Sequence, residues 1–87
     1  MKMPHNAFKA GLRQDVSQYG IWAGFANGYA AEIVASVGYD WMLIDGEHAP
    51  NTVPSVLNQL QAVAPYSTAP VVRAVSGDAN LIKQLLD

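Results

Sequence analysis

An acid, a glycine, a second acid and a histidine stand in a row at Asp45, Gly46, Glu47 and His48, directly after the apolar run Trp41-Met42-Leu43-Ile44. Charged residues make up only 14% of this 87-residue chain, so the cluster is too concentrated to be ordinary surface. Histidine changes charge near neutral pH and is suited to accepting or returning a proton. On residue type alone, a histidine at a loop start is more often a cap or a surface group than a catalyst. A lone arginine, Arg73, lies in the β-branched run Pro70-Val71-Val72-Arg73-Ala74-Val75. A guanidinium in such a strand is costly to bury without an anion, and a carboxylate-bearing substrate would supply one.

The elements that must position these groups alternate between strand and helix. Gly20–Phe25 is a first apolar run, followed by a turn at Asn27-Gly28 and a helical stripe of Ala30, Ile33, Val34 and Val37 that Gly38 stops. Trp41–Ile44 is the second run. After it, Asn51 or Thr52 can cap a helix with Pro54 in its first turn and Val53, Val56, Leu57, Leu60 and Val63 on one face, ended by Pro65. Pro70–Val75 is the third run, and Asp78 can cap a last helix carrying Leu81, Ile82, Leu85 and Leu86. Asn6–Arg13 reads as a short leading helix. Asp15, Asp40 and Asp78 read as turn or cap residues, His5 as solvated and Trp41 as core.

Apolar strands joined by helices indicate parallel pairing with both faces covered. From Ile21 to Met42 to Val71 the units are spaced 21 and then 29 residues apart, a repeat that fits a (β/α)8 TIM barrel. Such a barrel needs about 250 residues, so residues 1–87 are expected to be the amino-terminal portion of a single barrel domain, its first three β/α units. A compact three-stranded α/β domain is the competing reading. In barrels, reactive groups sit at the carboxyl ends of strands. Trp22, the Asp45–His48 cluster and Arg73 all fall near such ends.

Composition excludes several classes. A net charge of -2 gives no basic nucleic-acid surface, and the absence of cysteine excludes disulfides and zinc–thiolate sites. The apolar runs are far shorter than a membrane span and the first residues lack the apolar core of a signal peptide, so a cytoplasmic location is the default expectation.

Asp45-Gly46-Glu47-His48-Ala49-Pro50-Asn51, with Gly20-Ile21-Trp22, Gly38-Tyr39-Asp40-Trp41, Pro70-Val71-Val72-Arg73 and Ile82-Lys83-Gln84-Leu85-Leu86-Asp87, resembles the amino-terminal third of the HpcH/HpaI aldolases. These are metal-dependent class II pyruvate aldolases. The resemblance implies a (β/α)8 barrel, assembly as a homo-oligomer, usually a hexamer, and reversible cleavage of 4-hydroxy-2-oxo acids to pyruvate and an aldehyde. Similar members act on 4-hydroxy-2-oxoheptanedioate or 2-keto-3-deoxy-sugar acids, and the motif does not choose among them. Ala74 stands where a proline often follows the arginine, which affects the expected loop shape there. A relative acting on thioesters, as in the citrate lyase branch, is a further possibility.

By the same resemblance, His48 matches the general base, Arg73 the group that holds the pyruvyl oxygens and stabilises the enolate, and Asp87 the acid that raises the basicity of His48. Trp22 is a candidate wall of the substrate pocket. The implied cofactor is a divalent ion, magnesium, manganese or cobalt. Its ligands are expected outside this chain, with Asp45 and Glu47 as acceptors for metal-bound water. A catalytically incomplete fragment or interaction module is the alternative, because these residues alone lack the metal ligands.

Overall fold

Side-chain caps and tight turns set where each element starts. The computed structural model describes residues 5–86, with α1 (Ala7–Arg13), β1 (Gly20–Ala23), α2 (Gly28–Ala35), β2 (Trp41–Asp45), α3 (Val53–Val63), β3 (Ala69–Arg73) and α4 (Ala79–Leu86). The Asn6 side chain accepts from Lys9 N, and that of Asn27 accepts from Tyr29 N and Ala30 N, satisfying first-turn donors of α1 and α2. Thr52 caps α3 in a reciprocal arrangement: Ser55 N donates to Thr52 Oγ1 and Thr52 N donates to Ser55 Oγ, with Pro54 in the first turn. The Asp78 carboxylate accepts from Leu81 N as α4 begins.

The strands form one parallel sheet in the order β1-β2-β3. Trp22 pairs with Leu43 and Leu43 with Val71, which fixes two sets of side chains on opposite faces. Ile21, Ala23, Met42, Ile44 and Val72 point to the helix-covered face, where Ala23, Met42 and Ile44 join Ala31, Ala35, Val56 and Val63 in the core. Gly20, Trp22, Trp41, Leu43, Asp45, Val71 and Arg73 share the other face. This second face is covered by α1 only at its amino-terminal end, where Phe8 meets the Trp41 ring edge-on at 6.1 Å. Trp41 lies so close over Gly20 that any Cβ there would overlap the indole.

Three expectations from periodicity change in detail. On α2 the buried positions are Gly28, Ala31 and Ala35, while Ile33 and, past the end of the helix, Val37 are exposed, because small residues let α2 lie close against α3. On α3, Val56 and Val63 are buried as expected, but the residue between them on that face is Gln59, fully buried, and Leu57 is exposed. The outer strands are shorter than their apolar runs: β1 ends at Ala23 and β3 at Arg73, where the chain turns to build the rim.

Candidate active site

Asp45 and Arg73 are the last residues of β2 and β3 and are partners across the ladder, so both emerge at the carboxyl rim of the open face. Arg73 grips Asp45 at two points: Nε donates to Oδ1 at 2.9 Å and Nη2 to Oδ2 at 2.7 Å. Trp22 Nε1 donates to Oδ2 at 3.1 Å, and the backbone N–H groups of Glu47 and His48 donate to Oδ1 at 2.9 and 3.2 Å. A carboxylate that is 3% exposed is thus held by five donors. The Arg73 hydrogen bonds, above all, hold the Asp45 carboxyl well below the usual carboxylate range, and Asp45 in turn raises Arg73.

The anion that Arg73 requires is therefore Asp45, inside the chain, and the need for an anion does not by itself imply a substrate carboxylate. The pair uses two of the five N–H donors of a guanidinium and leaves three. Arg73 also lies over the Trp22 ring, its Cζ 5.0 Å from the centroid. Trp22 is 53% exposed, so it presents a flat surface at the rim while its indole N–H fixes its angle.

Glu47 stands between the two groups expected to react. Its Oε1 is 3.0 Å from His48 Nε2 and 3.5 Å from Arg73 Nη1. The His48 side chain is 73% exposed on the loop that follows β2. Asp45 fares differently from its expected part in holding metal-bound water: five donors take up its acceptor capacity, and only Glu47 keeps room for that task. Among the described residues, no group of three or more histidine, cysteine or acidic side chains could hold a metal ion. Asp87 lies outside the described residues.

The rim is anchored from behind by polar groups that pattern reading passes over. Gly46 N donates to Arg73 O at 2.9 Å, and a Cβ at Gly46 would stand 2.8 Å from that oxygen, so a side chain there would push the two strand ends apart. Asn51 Nδ2 donates to Asp45 O at 2.8 Å and reaches Phe25 O at 3.5 Å. Its Oδ1 accepts from Ser55 Oγ at 2.8 Å and from the buried Gln59 Nε2 at 2.7 Å. The available signal was Gln59 itself, an amide at the helical spacing between Val56 and Val63 on an otherwise apolar face.

Residues 18–87 match the model of the HpcH/HpaI aldolase/citrate lyase family. The chain belongs to this family. It is 72% identical over all 87 residues to a hydroxypyruvate/pyruvate aldolase of Delftia acidovorans, covering 32% of that protein. It is 60% identical over 82 residues to a 4-hydroxy-2-oxo-heptane-1,7-dioate aldolase of Salmonella arizonae, covering 94% of this chain and 31% of that protein. Among solved structures, an HpcH/HpaI aldolase/citrate lyase family protein of Burkholderia cenocepacia superposes with a TM-score of 0.90 at 41% identity, over 94% of this chain and 33% of that one. The chain thus spans about a third of the length of the relatives it matches.

Proposed function

We propose that this rim is part of the active site of a pyruvate aldolase of the HpcH/HpaI family, and that these residues are the first three β/α units of its (β/α)8 barrel. The reaction is reversible cleavage of a 4-hydroxy-2-oxo acid to pyruvate, or hydroxypyruvate, and an aldehyde. One observation carries the reading: Arg73 is locked by Asp45 through two of its five N–H donors, with Glu47 beside Nη1, at the same rim as His48.

Cleavage of the C3–C4 bond removes the proton of the C4 hydroxyl while negative charge gathers on the C2 oxygen. His48 takes the hydroxyl proton. The remaining Arg73 donors engage the carboxylate and C2 oxygens, and strengthen as the enolate develops, because Asp45 and Trp22 have already fixed the guanidinium plane. Trp22 walls the pocket beside the pyruvyl group. Asp87, by resemblance, pairs with His48 and raises its basicity.

The described residues do not make a site for the divalent ion that the resemblance implies. Asp45 is saturated, and Glu47 is shared between His48 and Arg73. We place the ligands of that ion outside these residues and assign no step to it. The 87 residues alone, with the second face open and both outer strands having one unpaired edge, are inactive in this reading. The complete protein is a homo-oligomer, on the resemblance a hexamer.

The test is aldol cleavage by the full-length protein with magnesium, manganese or cobalt, alongside the 87-residue chain. Turnover by the full-length protein, abolished by chelation, is expected. No release of pyruvate from any 4-hydroxy-2-oxo acid would overturn the proposal.

A further inference from the structure

The loop that carries Glu47 and His48 is tied down at both ends by side-chain amides and carboxylates. At its start is Asp45, held by five donors. At its end is Asn51, whose backbone N–H closes a tight turn onto Ala49 O at 2.7 Å. Because Thr52 supplies the cap of α3, the Asn51 side chain is free of that duty and spans outward instead. Its amide N–H groups reach the carbonyls of Asp45 and Phe25, the carboxyl-terminal surroundings of β2 and β1. Its oxygen is held from the helix side by Ser55 and Gln59.

Gln59 is the anchor of this chain of bonds. It is fully buried, its Nε2 donates both to Asn51 Oδ1 at 2.7 Å and to Ser55 O at 3.0 Å, and its Oε1 accepts from no group among the described residues. A buried amide with half of its capacity unused is a poor way to fill a core, since leucine would occupy similar space without a polar atom to desolvate. What it supplies is direction. The Gln59 donor sets which way the Asn51 amide faces, and thereby that Asn51 donates to the Asp45 carbonyl rather than repelling it.

We propose that Asn51 and Gln59 are positioning residues for the aldolase site, acting through the Asp45 peptide to hold Arg73, Trp22 and the His48 loop in register. The inference rests on the proposed function for its catalytic readout and has a second readout that does not. Among the described residues Gln59 makes no hydrogen bond to Asp45, Arg73 or His48; its effect passes through Asn51. A displacement on the order of 1 Å at a reacting group is enough for about 100-fold in rate.

The experiment uses the full-length protein with Gln59→Leu, Gln59→Glu and Asn51→Ala. Gln59→Leu is expected to keep its thermal midpoint within a few degrees, since it removes an unsatisfied acceptor, yet to lower kcat about 10-fold to 100-fold. KM for the oxo acid should change less, because the Arg73 donors remain. Gln59→Glu places an acid that donates to Asn51 only when protonated, and burial raises its pKa. Its activity should recover as the pH is lowered, a limb missing from the parent profile. The structural readout is the indole N–H resonance of Trp22, which bonds Asp45. It should shift and exchange faster with water in Gln59→Leu and Asn51→Ala, while that of Trp41, at the opposite end of the face, stays in place.

Unchanged kcat, pH profile and Trp22 resonance would overturn the inference. So would activity loss that merely follows a fallen thermal midpoint with both indoles disturbed alike. If Gln59→Leu fails to fold, Asn51→Ala carries the same reading from a half-buried position. If the parent protein itself releases no pyruvate, the proposed function fails, and the two indole resonances alone decide the positioning role.

Discussion

The two ends of the open sheet face each carry a tryptophan, and they use it in opposite ways. At the amino-terminal end, Trp41 lies flat over Gly20 and meets Phe8 edge-on, under the cover of α1. At the carboxyl end, Trp22 is half exposed, turns its N–H toward Asp45 and supports Arg73. The first end rests on ring packing, with its one neighbouring carboxylate, Asp40, left exposed; the second buries a carboxylate and is held by directional bonds. Ring packing and directional polar bonding are thereby separated along one face, and the proposed reaction belongs to the polar end, the rim where barrels gather their reactive groups.

That separation fails if changes at the two ends have similar consequences. The largest effect is expected for Arg73→Ala in the full-length protein, which should lose about 100-fold to 1,000-fold or more in kcat by analogy with loss of an oxyanion donor. Arg73→Lys should restore little, since an ammonium cannot hold Asp45 at two points and still face the substrate. Steady-state cleavage kinetics check both.

His48→Ala should lower cleavage by roughly 100-fold to 10,000-fold if it is the general base. Its side chain is 73% exposed, so the denaturation midpoint should stay within error of the parent. A normal cleavage rate would remove His48 from the mechanism.

Acid exposes the Asp45 hub. Its folded pKa is lowered, chiefly by Arg73, so the folded state binds this proton less tightly than the unfolded state does. The contribution to stability is therefore complete above the ordinary carboxylate pKa of about 4 and is lost as the pH falls below it toward the lowered value. Urea unfolding between pH 2 and 5 should show this slope in the parent and a weaker one in Asp45→Asn. Equal slopes would mean that the hub does not form in solution.

The smallest effect sharpens the contrast from the other end. Phe8→Ala removes a half-buried ring from Trp41 and should lower stability by about 1–2 kcal/mol while leaving cleavage kinetics unchanged. A large fall in kcat would show that the packed end is coupled to the rim.

The strand and helix alternation was legible because each strand is largely apolar and each helix begins at a polar cap; Asp78 caps α4 as its type implies, and of the two candidates before α3 it is Thr52 that caps. Helix faces were less legible. Periodicity weighs large apolar residues, whereas α2 approaches α3 through Gly28, Ala31 and Ala35, and α3 buries Gln59 in place of Leu57. In the rim, the sequence placed Asp45, Glu47 and His48 side by side, and Arg73 implied a need for an anion. Which anion it meets depends on the register of β2 against β3, a tertiary fact that no single stretch of residues encodes.

In the proposed reaction Arg73, fixed by Asp45 and Trp22, stabilises the enolate of pyruvate. This role is tested most directly by exchange of the pyruvate methyl protons for deuterium, followed by proton NMR with the full-length protein and its divalent ion. The parent should exchange them, Arg73→Ala should bring exchange close to the enzyme-free rate, and Arg73→Lys should lie far nearer to Ala than to the parent. Exchange at the parental rate in Arg73→Ala would contradict the account.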